Sequence, residues 1–336
     1  MIHSSVPSRQ PKREAWTMER LVHERSIALG MALSRSTQRA YGSHLNSYLD
    51  FCSLHHFDID PTPDTLSFYP TYASHHIEPR SVLSYLTGIV RNLEPHYPNA
   101  CTARSSRLVT RAMQGCLRRQ SNPTRRKQPL TRGHLTLLLH SFPPPHSHDD
   151  LLFLTQVFTV FFALLWLGEL VVPDTVALRN SLQLPRRSSA AISPSDYRFD
   201  LRSDKSDHLF EGNTIVVQKT ASLPDPHATF TAYLSSRDHH FPFHPHLWLR
   251  ADGSPPTRSW FLSRLHRVLP SSIAGHSLRA GAAASLAAAG VPPSQIQAIG
   301  RWRSNTWERY VRKNPTLLQA LLFHGWPIHD SPFAPV

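Results

Sequence analysis

Through the first third of the chain, apolar residues recur at the three-to-four-residue interval of one-sided helices. A first such segment spans about residues 19–33. The next follows Ser36, read as its N-cap, and sets Tyr41, Leu45, Tyr48, Leu49 and Cys52 at helical spacing. A third covers about 64–74. A fourth starts near Pro79 and would bury Val82, Leu86, Ile89, Val90 and Leu93. The fifth, near 104–119, has two faces. Leu108, Ala112, Met113 and Cys116 form an apolar stripe, while Arg104, Arg107, Arg111 and Arg118 form a cationic one at offsets of 3, 7 and 14. Such a stripe can follow a phosphate backbone while the opposite face packs.

The pattern then changes. Residues 121–130 set Arg125, Arg126 and Lys127 between two prolines, which reads as a basic linker. Helical spacing returns over about 131–141 and 150–167. The stretch 151–168 is long enough to test as a membrane span. Thr155, Gln156 and Thr159 interrupt it, however, and Asp149, Asp150 and Glu169 bound it, so a buried globular helix is expected. A low-complexity insert over about 184–194 precedes a switch to two-residue alternation. Tyr197, Phe199 and Leu201 face one way and Arg198, Asp200 and Arg202 the other. A polar turn at 203–207 and the run Ile215–Val217 complete a predicted hairpin. An Ala-rich helix from His276 ends at Gly290, ahead of Pro292 and Pro293. Short helices at about 294–299, 306–312 and 316–322 follow. The expected fold class is mostly α with a small β-sheet. Its parts are a basic disordered arm over 1–17, a helical domain over 18–120, the linker over 121–130, a mixed α/β domain over 131–325 and a tail over 326–336.

A chain of 336 residues is long enough for two domains with their own cores. Its formal charge of +13 points to a polyanionic partner, most often nucleic acid. The charge is concentrated: between Pro95 and His148 there are nine Lys or Arg and no Asp or Glu. That favours a phosphate-binding surface over general basicity. Cys52, Cys101 and Cys116 are odd in number and lack CxxC spacing, which argues against a disulfide framework or a zinc site. The 22 histidines, including the adjacent pairs at 55–56, 75–76 and 239–240, read as composition rather than metal ligands. Residues 1–18 lack the apolar core of a secretory signal.

The C-terminal region carries the candidate chemistry. His276 and Arg279, three residues apart, share a helix face. Gly300, Arg301 and Trp302 follow, and then Tyr310. Breaking a phosphodiester without a metal requires a nucleophile, fixed positive charge for the transition state and an acid for the leaving oxygen. A forked guanidinium suits two phosphate oxygens, and a tyrosine can hold the bond as a phosphoester. This ordered set resembles the tyrosine recombinase (phage integrase-like) family, over residues from about Ser36 to His324. The wording GRW-x-S-x5-Y is most like its fungal and retroelement-borne, mobile-element members. The resemblance implies a helical SAM-like core-binding domain followed by an α/β catalytic domain, the two clamping double-stranded DNA. It implies DNA recombination or integration through a 3′-phosphotyrosine on Tyr310, with His276 and Arg279 on the scissile phosphate. The family's next position is a His or Trp shortly after a glycine. Both Arg301 and Trp302 fall there, and residue type prefers Trp302. The family's hairpin lysine, the acid for the 5′-hydroxyl, matches Lys205, with Lys219 as the second candidate. No cofactor, no metal and no membrane are implied. Protomers would assemble on DNA as a homo-oligomer, a tetramer, with the helix over 316–322 docked on a neighbour. The setting implied is nuclear, or otherwise cytoplasmic.

One position departs from the family pattern. The first catalytic arginine of the family ends a buried helix, and here Leu164, Leu165, Leu167, Glu169 and Leu170 surround Trp166 in its place. An indole donates one hydrogen bond and carries no charge. Loss of one such charge costs on the order of 10²–10³ in rate. Two functional readings follow: an impaired or intact strand-joining enzyme, and a DNA-binding relic that no longer cleaves. A third, a helical scaffold with accidental motifs, would show no steep salt dependence of DNA binding.

Overall fold

The computed structural model describes residues 13–123, 127–202 and 212–302. Two compact units divide the chain, Met1–Thr124 and Arg125–Val336. Outside the described residues lie most of the predicted arm, Arg125 and Arg126 of the linker, the predicted turn at 203–207 with Lys205, Tyr310, the helices predicted over 306–312 and 316–322, and the tail.

Helices build the first unit: α1 (Met18–Met31), α2 (Arg35–His55), α3 (Pro63–Ala73), α4 (Pro79–Leu93), α5 (Ala100–Ser105) and α6 (Arg107–Gln120). Their shared core includes Tyr48, Phe51, Leu66, Tyr69, Val82, Leu86, Ile89, Met113 and Cys116. The five apolar residues expected from α4 are all buried there. Helix α1 buries none of its residues within this unit.

Two local expectations are corrected. Helix α2 is capped by Ser34, whose hydroxyl accepts from the Thr37 amide at 3.2 Å. Ser36 is already the second residue of the helix, past the extended residue that a cap requires. The fifth helix is two helices, because Ser106 is extended and its hydroxyl accepts from the Val109 amide at 3.3 Å. The new N-cap resets the helical phase. Val109 takes the buried place expected of Leu108, which is 48% exposed. Arg104 therefore sits on α5, partly buried, and donates to the Thr87 hydroxyl at 2.8 Å. Arg107, Arg111 and Arg118 remain exposed on one face of α6, since their spacings of 4 and 11 residues are near whole turns.

The second unit contains α7 (Arg132–Ser141), α8 (His148–Phe162), α9 (Pro226–His240), α10 (Arg258–Leu265), α11 (Gly275–Ala288) and α12 (Pro293–Ile299). Strands β1 (Ala191–Ile192), β2 (Asp196–Leu201) and β3 (Asn213–Gln218) form an antiparallel sheet in the order β1-β2-β3. Tyr197, Phe199 and Leu201 face the core as their alternation predicts, with Tyr197 opposite Val217 and Phe199 opposite Ile215. Helix α8 runs through the core, and Thr155, Gln156 and Thr159 each make a hydrogen bond there, with the buried Gln156 Oε1 left unpaired among the described residues. Thr155 donates to the Thr229 carbonyl, Gln156 to the Leu170 carbonyl, and Thr159 meets the Tyr197 hydroxyl at 2.8 Å. Among the described residues no helix is long and apolar enough to cross a membrane.

Helix α8 stops at Phe162, short of the expected 167. Leu164 takes φ 49°, while its amide donates to Phe161 and the Leu165 amide to Val160. Those are the two bonds of a Schellman stop. A leucine there costs about 1–2 kcal/mol relative to glycine, because its Cβ crowds the carbonyl. Trp166 is consequently extended rather than helical.

The expected low-complexity insert is also packed. The Arg187 guanidinium holds Asp238 through bonds of 2.7–3.0 Å, and the Leu247 amide donates to Pro185. Beside it, fully buried Arg237 donates to Asp238 and to the carbonyls of Phe241, His244 and His246. Burial is the main cause that lowers the pKa of His148, His244 and His246, and the Arg237 charge adds to it. The sign follows from linkage: the unfolded chain binds these protons first as pH falls below the ordinary value of about 6.5. The second unit is therefore expected to lose thermal stability progressively as pH drops from 7 to 5. Melting temperatures across that range check it, and His148→Gln should flatten the dependence.

Candidate functional site

Three segments meet around α11. Its first turn carries His276 and its second Arg279, which the three-residue spacing places on one side. The helix starts without a side-chain cap from Ala274; instead Ser277 Oγ accepts from the Ala274 amide at 2.9 Å. His276 is exposed while Arg279 is only 2% exposed. Partial burial of the imidazole lowers its pKa, and the neighbouring Arg279 charge lowers it further. His276 is therefore neutral near pH 7.

Arg279 is held by two carbonyls and two indoles. Its two terminal nitrogens donate to the carbonyls of Leu164 and Gly300. Its Cζ lies 4.7 Å from the centre of the Trp166 ring and 4.6 Å from that of Trp302. A guanidinium is weakly hydrated and planar, so carbonyls in its plane and indoles over it can replace water. Each such cation–π contact contributes about 0.5–2 kcal/mol, more when desolvated. The Trp166 ring also lies 5.4 Å from the His276 ring.

The Gly300-Arg301-Trp302 turn is explained by this arrangement. A Cβ on Gly300 would lie 2.2 Å from the Trp302 ring, so only glycine lets the indole fold back. Arg301 adopts φ 55°, an uncommon left-handed conformation for a bulky residue. Its side chain bonds both Glu169 carboxylate oxygens at 3.0 and 3.1 Å, and Glu169 Oε2 also accepts from the Trp166 amide at 2.7 Å. Of the two residues open for the family's His/Trp position, Trp302 is the one stacked on Arg279. Arg301 pairs with Glu169.

Four nominated residues are thus brought together: Trp166, His276, Arg279 and Trp302. Lys205 and Tyr310 lie outside the described residues. Lys219 is exposed just beyond β3, its amide donating to Ser195 at 2.7 Å. Lys127 donates from Nζ to the Ser271 carbonyl at 2.9 Å, ahead of α11. The sequence reading passed over Arg258. This exposed residue starts α10, and its Nη1 lies 3.7 Å from where a Cβ on Gly275 would stand, at the start of α11. No sequence spacing signals that approach, because a loop joins the two helices. Among the described residues no group of three His, Cys, Asp or Glu gathers to hold a metal.

No family model matches the sequence. No curated protein matches it either. Solved structures do. A lambda integrase dimer bound to a COC′ core site is 12% identical with a TM-score of 0.51, covering 88% of this chain and 77% of that one. XerA recombinase is 16% identical with a TM-score of 0.45, covering 92% and 98%. XerH site-specific recombinase, in a post-cleavage complex with a palindromic difH substrate, is 13% identical with a TM-score of 0.44, covering 76% of each. The likeness to lambda integrase shows a shared fold: a helical unit, then a mostly helical unit with a small antiparallel sheet.

Proposed function

We propose that this chain binds double-stranded DNA and breaks and rejoins its strands through a phosphotyrosine on Tyr310. The observation that carries the reading is the convergence at α11. Residues nominated from separate stretches come together there: the Arg279 guanidinium lies against both Trp166 and Trp302, and the Trp166 ring against His276. In the proposed reaction the Tyr310 oxygen attacks phosphorus and its proton passes to neutral His276. The bond to the 5′-oxygen breaks as the bond to tyrosine forms, and Lys205 protonates the leaving oxygen. The 5′-hydroxyl reverses these steps on rejoining. Arg258 offers an exposed guanidinium at the start of α11, where a phosphate would meet it. Arg107, Arg111 and Arg118 on α6 would contact the backbone elsewhere. The fungal or retroelement affinity and the tetrameric assembly belong to this same reading.

A second reading, DNA binding without cleavage, is favoured by one observation. Arg279 is 2% exposed and both its terminal nitrogens serve carbonyls. Trapping of covalent protein–DNA adducts on supercoiled and nicked duplexes separates the two. An adduct is expected from the wild-type chain and none from Tyr310→Phe. Binding should weaken steeply with salt, and replacing Arg107, Arg111 and Arg118 by Gln should lower the log–log slope by about 2–3. Salt-sensitive binding with no adduct favours the second reading. A flat salt curve overturns both.

A further inference from the structure

We propose that Trp166 is a positioning residue: its indole holds the Arg279 guanidinium against Trp302, and with it the two segments that flank α11 in the site. The activity arm of this inference rests on the strand-breaking reading above; the structural arm does not.

Three observations converge on it. The two indoles stand at nearly equal distances from Arg279 Cζ, 4.7 and 4.6 Å. The carbonyls that Arg279 bonds belong to the same two segments: Leu164 lies two residues before Trp166, and Gly300 two before Trp302. Glu169 and Arg301 then tie those segments a second time, and Glu169 also receives the Trp166 amide. Trp166 is 41% exposed, so it is no core filler; its ring contacts are with Arg279 and His276. An arginine at 166 would set a second cation against the face where the first now finds an indole. Like charges at that range repel. A phenyl ring would keep a π face, and alanine would open that face to water.

The test uses the full chain as wild type, Trp166→Phe, Trp166→Ala and Trp166→Arg. NMR of the Arg279 side-chain Nη protons reports whether the guanidinium is held. Adduct formation at saturating DNA, read beside the DNA Kd, reports whether holding it matters to chemistry. Trp166→Phe should stay within about threefold of wild type on both. Trp166→Ala and Trp166→Arg should speed Nη proton exchange, and slow adduct formation, by about tenfold or more while Kd moves much less. Recovery with phenylalanine separates positioning from general loss of structure. If Trp166→Arg speeds adduct formation tenfold, or Trp166→Ala matches wild type in the NMR measurement, the proposal is wrong. If wild type gives no adduct, the exchange rates still decide it: protection in wild type and Trp166→Phe but not Trp166→Ala supports positioning, and equal exchange overturns it. That absence would count against strand breaking alone.

Discussion

Gly281→Ala is expected to destabilise the second unit by about 3 kcal/mol or more, at the upper end of what overpacking costs. A Cβ built on Gly281 would stand 1.8 Å from the Leu130 carbonyl oxygen and 2.7 Å from Leu130 C and N. Backbone cannot rotate away as a side-chain tip can. The approach is close because residues 127–130 lie along the start of α11. The Gln128 amide donates to Ser272 and the Leu130 amide to Ser277, both at 2.9 Å, and Leu130 is fully buried. The substitution would push this segment off the helix that carries His276 and Arg279, so both stability and function should fall. Gly115→Ala is the control. Gly115 is exposed on α6 with nothing within 4 Å of an added Cβ, and the change should stabilise by about 0.5–1 kcal/mol. Urea unfolding of both variants measures the contrast. Equal midpoints would mean that the close approach is not a feature of the folded chain.

Arg279→Lys should be nearly as damaging although it keeps the charge. An ammonium is a point donor on a flexible stem, whereas the guanidinium fork reaches two acceptors in one plane. Lysine can serve the Leu164 or the Gly300 carbonyl, not both in this geometry, and it stacks poorly between indoles. Losing one charge-assisted bond to a buried carbonyl costs about 1.5–3 kcal/mol. Under the strand-breaking reading, adduct formation should fall by about 10² or more, because the Trp302 segment leading toward Tyr310 loses its anchor. Thermal melts and adduct trapping on the same preparations test the two halves. A lysine variant that melts and reacts like wild type would show that positive charge alone is needed at this position.

Much of the fold was legible because it is written in local periodicity. The apolar residues of α4 and the alternation of β2 each report their own buried face, since that face depends only on spacing along one element. The misreadings share one cause. Ser34 against Ser36, Ser106 within a basic helix, and Leu164 ending α8 are single-residue cap decisions, settled by which hydroxyl or amide reaches which backbone group. Several polar or apolar candidates satisfy the pattern equally well. The packed insert around Arg187 was illegible for another reason. Its composition suggests a loop, and its order comes from Asp238 and residues 245–247, on distant parts of the chain.

The candidate site divides along the same line. Its members could be nominated from order and residue type, because His276 and Arg279 share a helix face and Gly300 and Trp302 share a turn. Trp166 read there as a missing charge. Chain closure gives it a different place. Arg279 reaches the Leu164 carbonyl 115 residues away, and the indole two positions beyond lies against the guanidinium. A substitution read along the chain shows only the group that has gone. The group that replaces its interactions is a neighbour in space, and such neighbours are set by how helices and turns close on one another, which residue spacing does not encode.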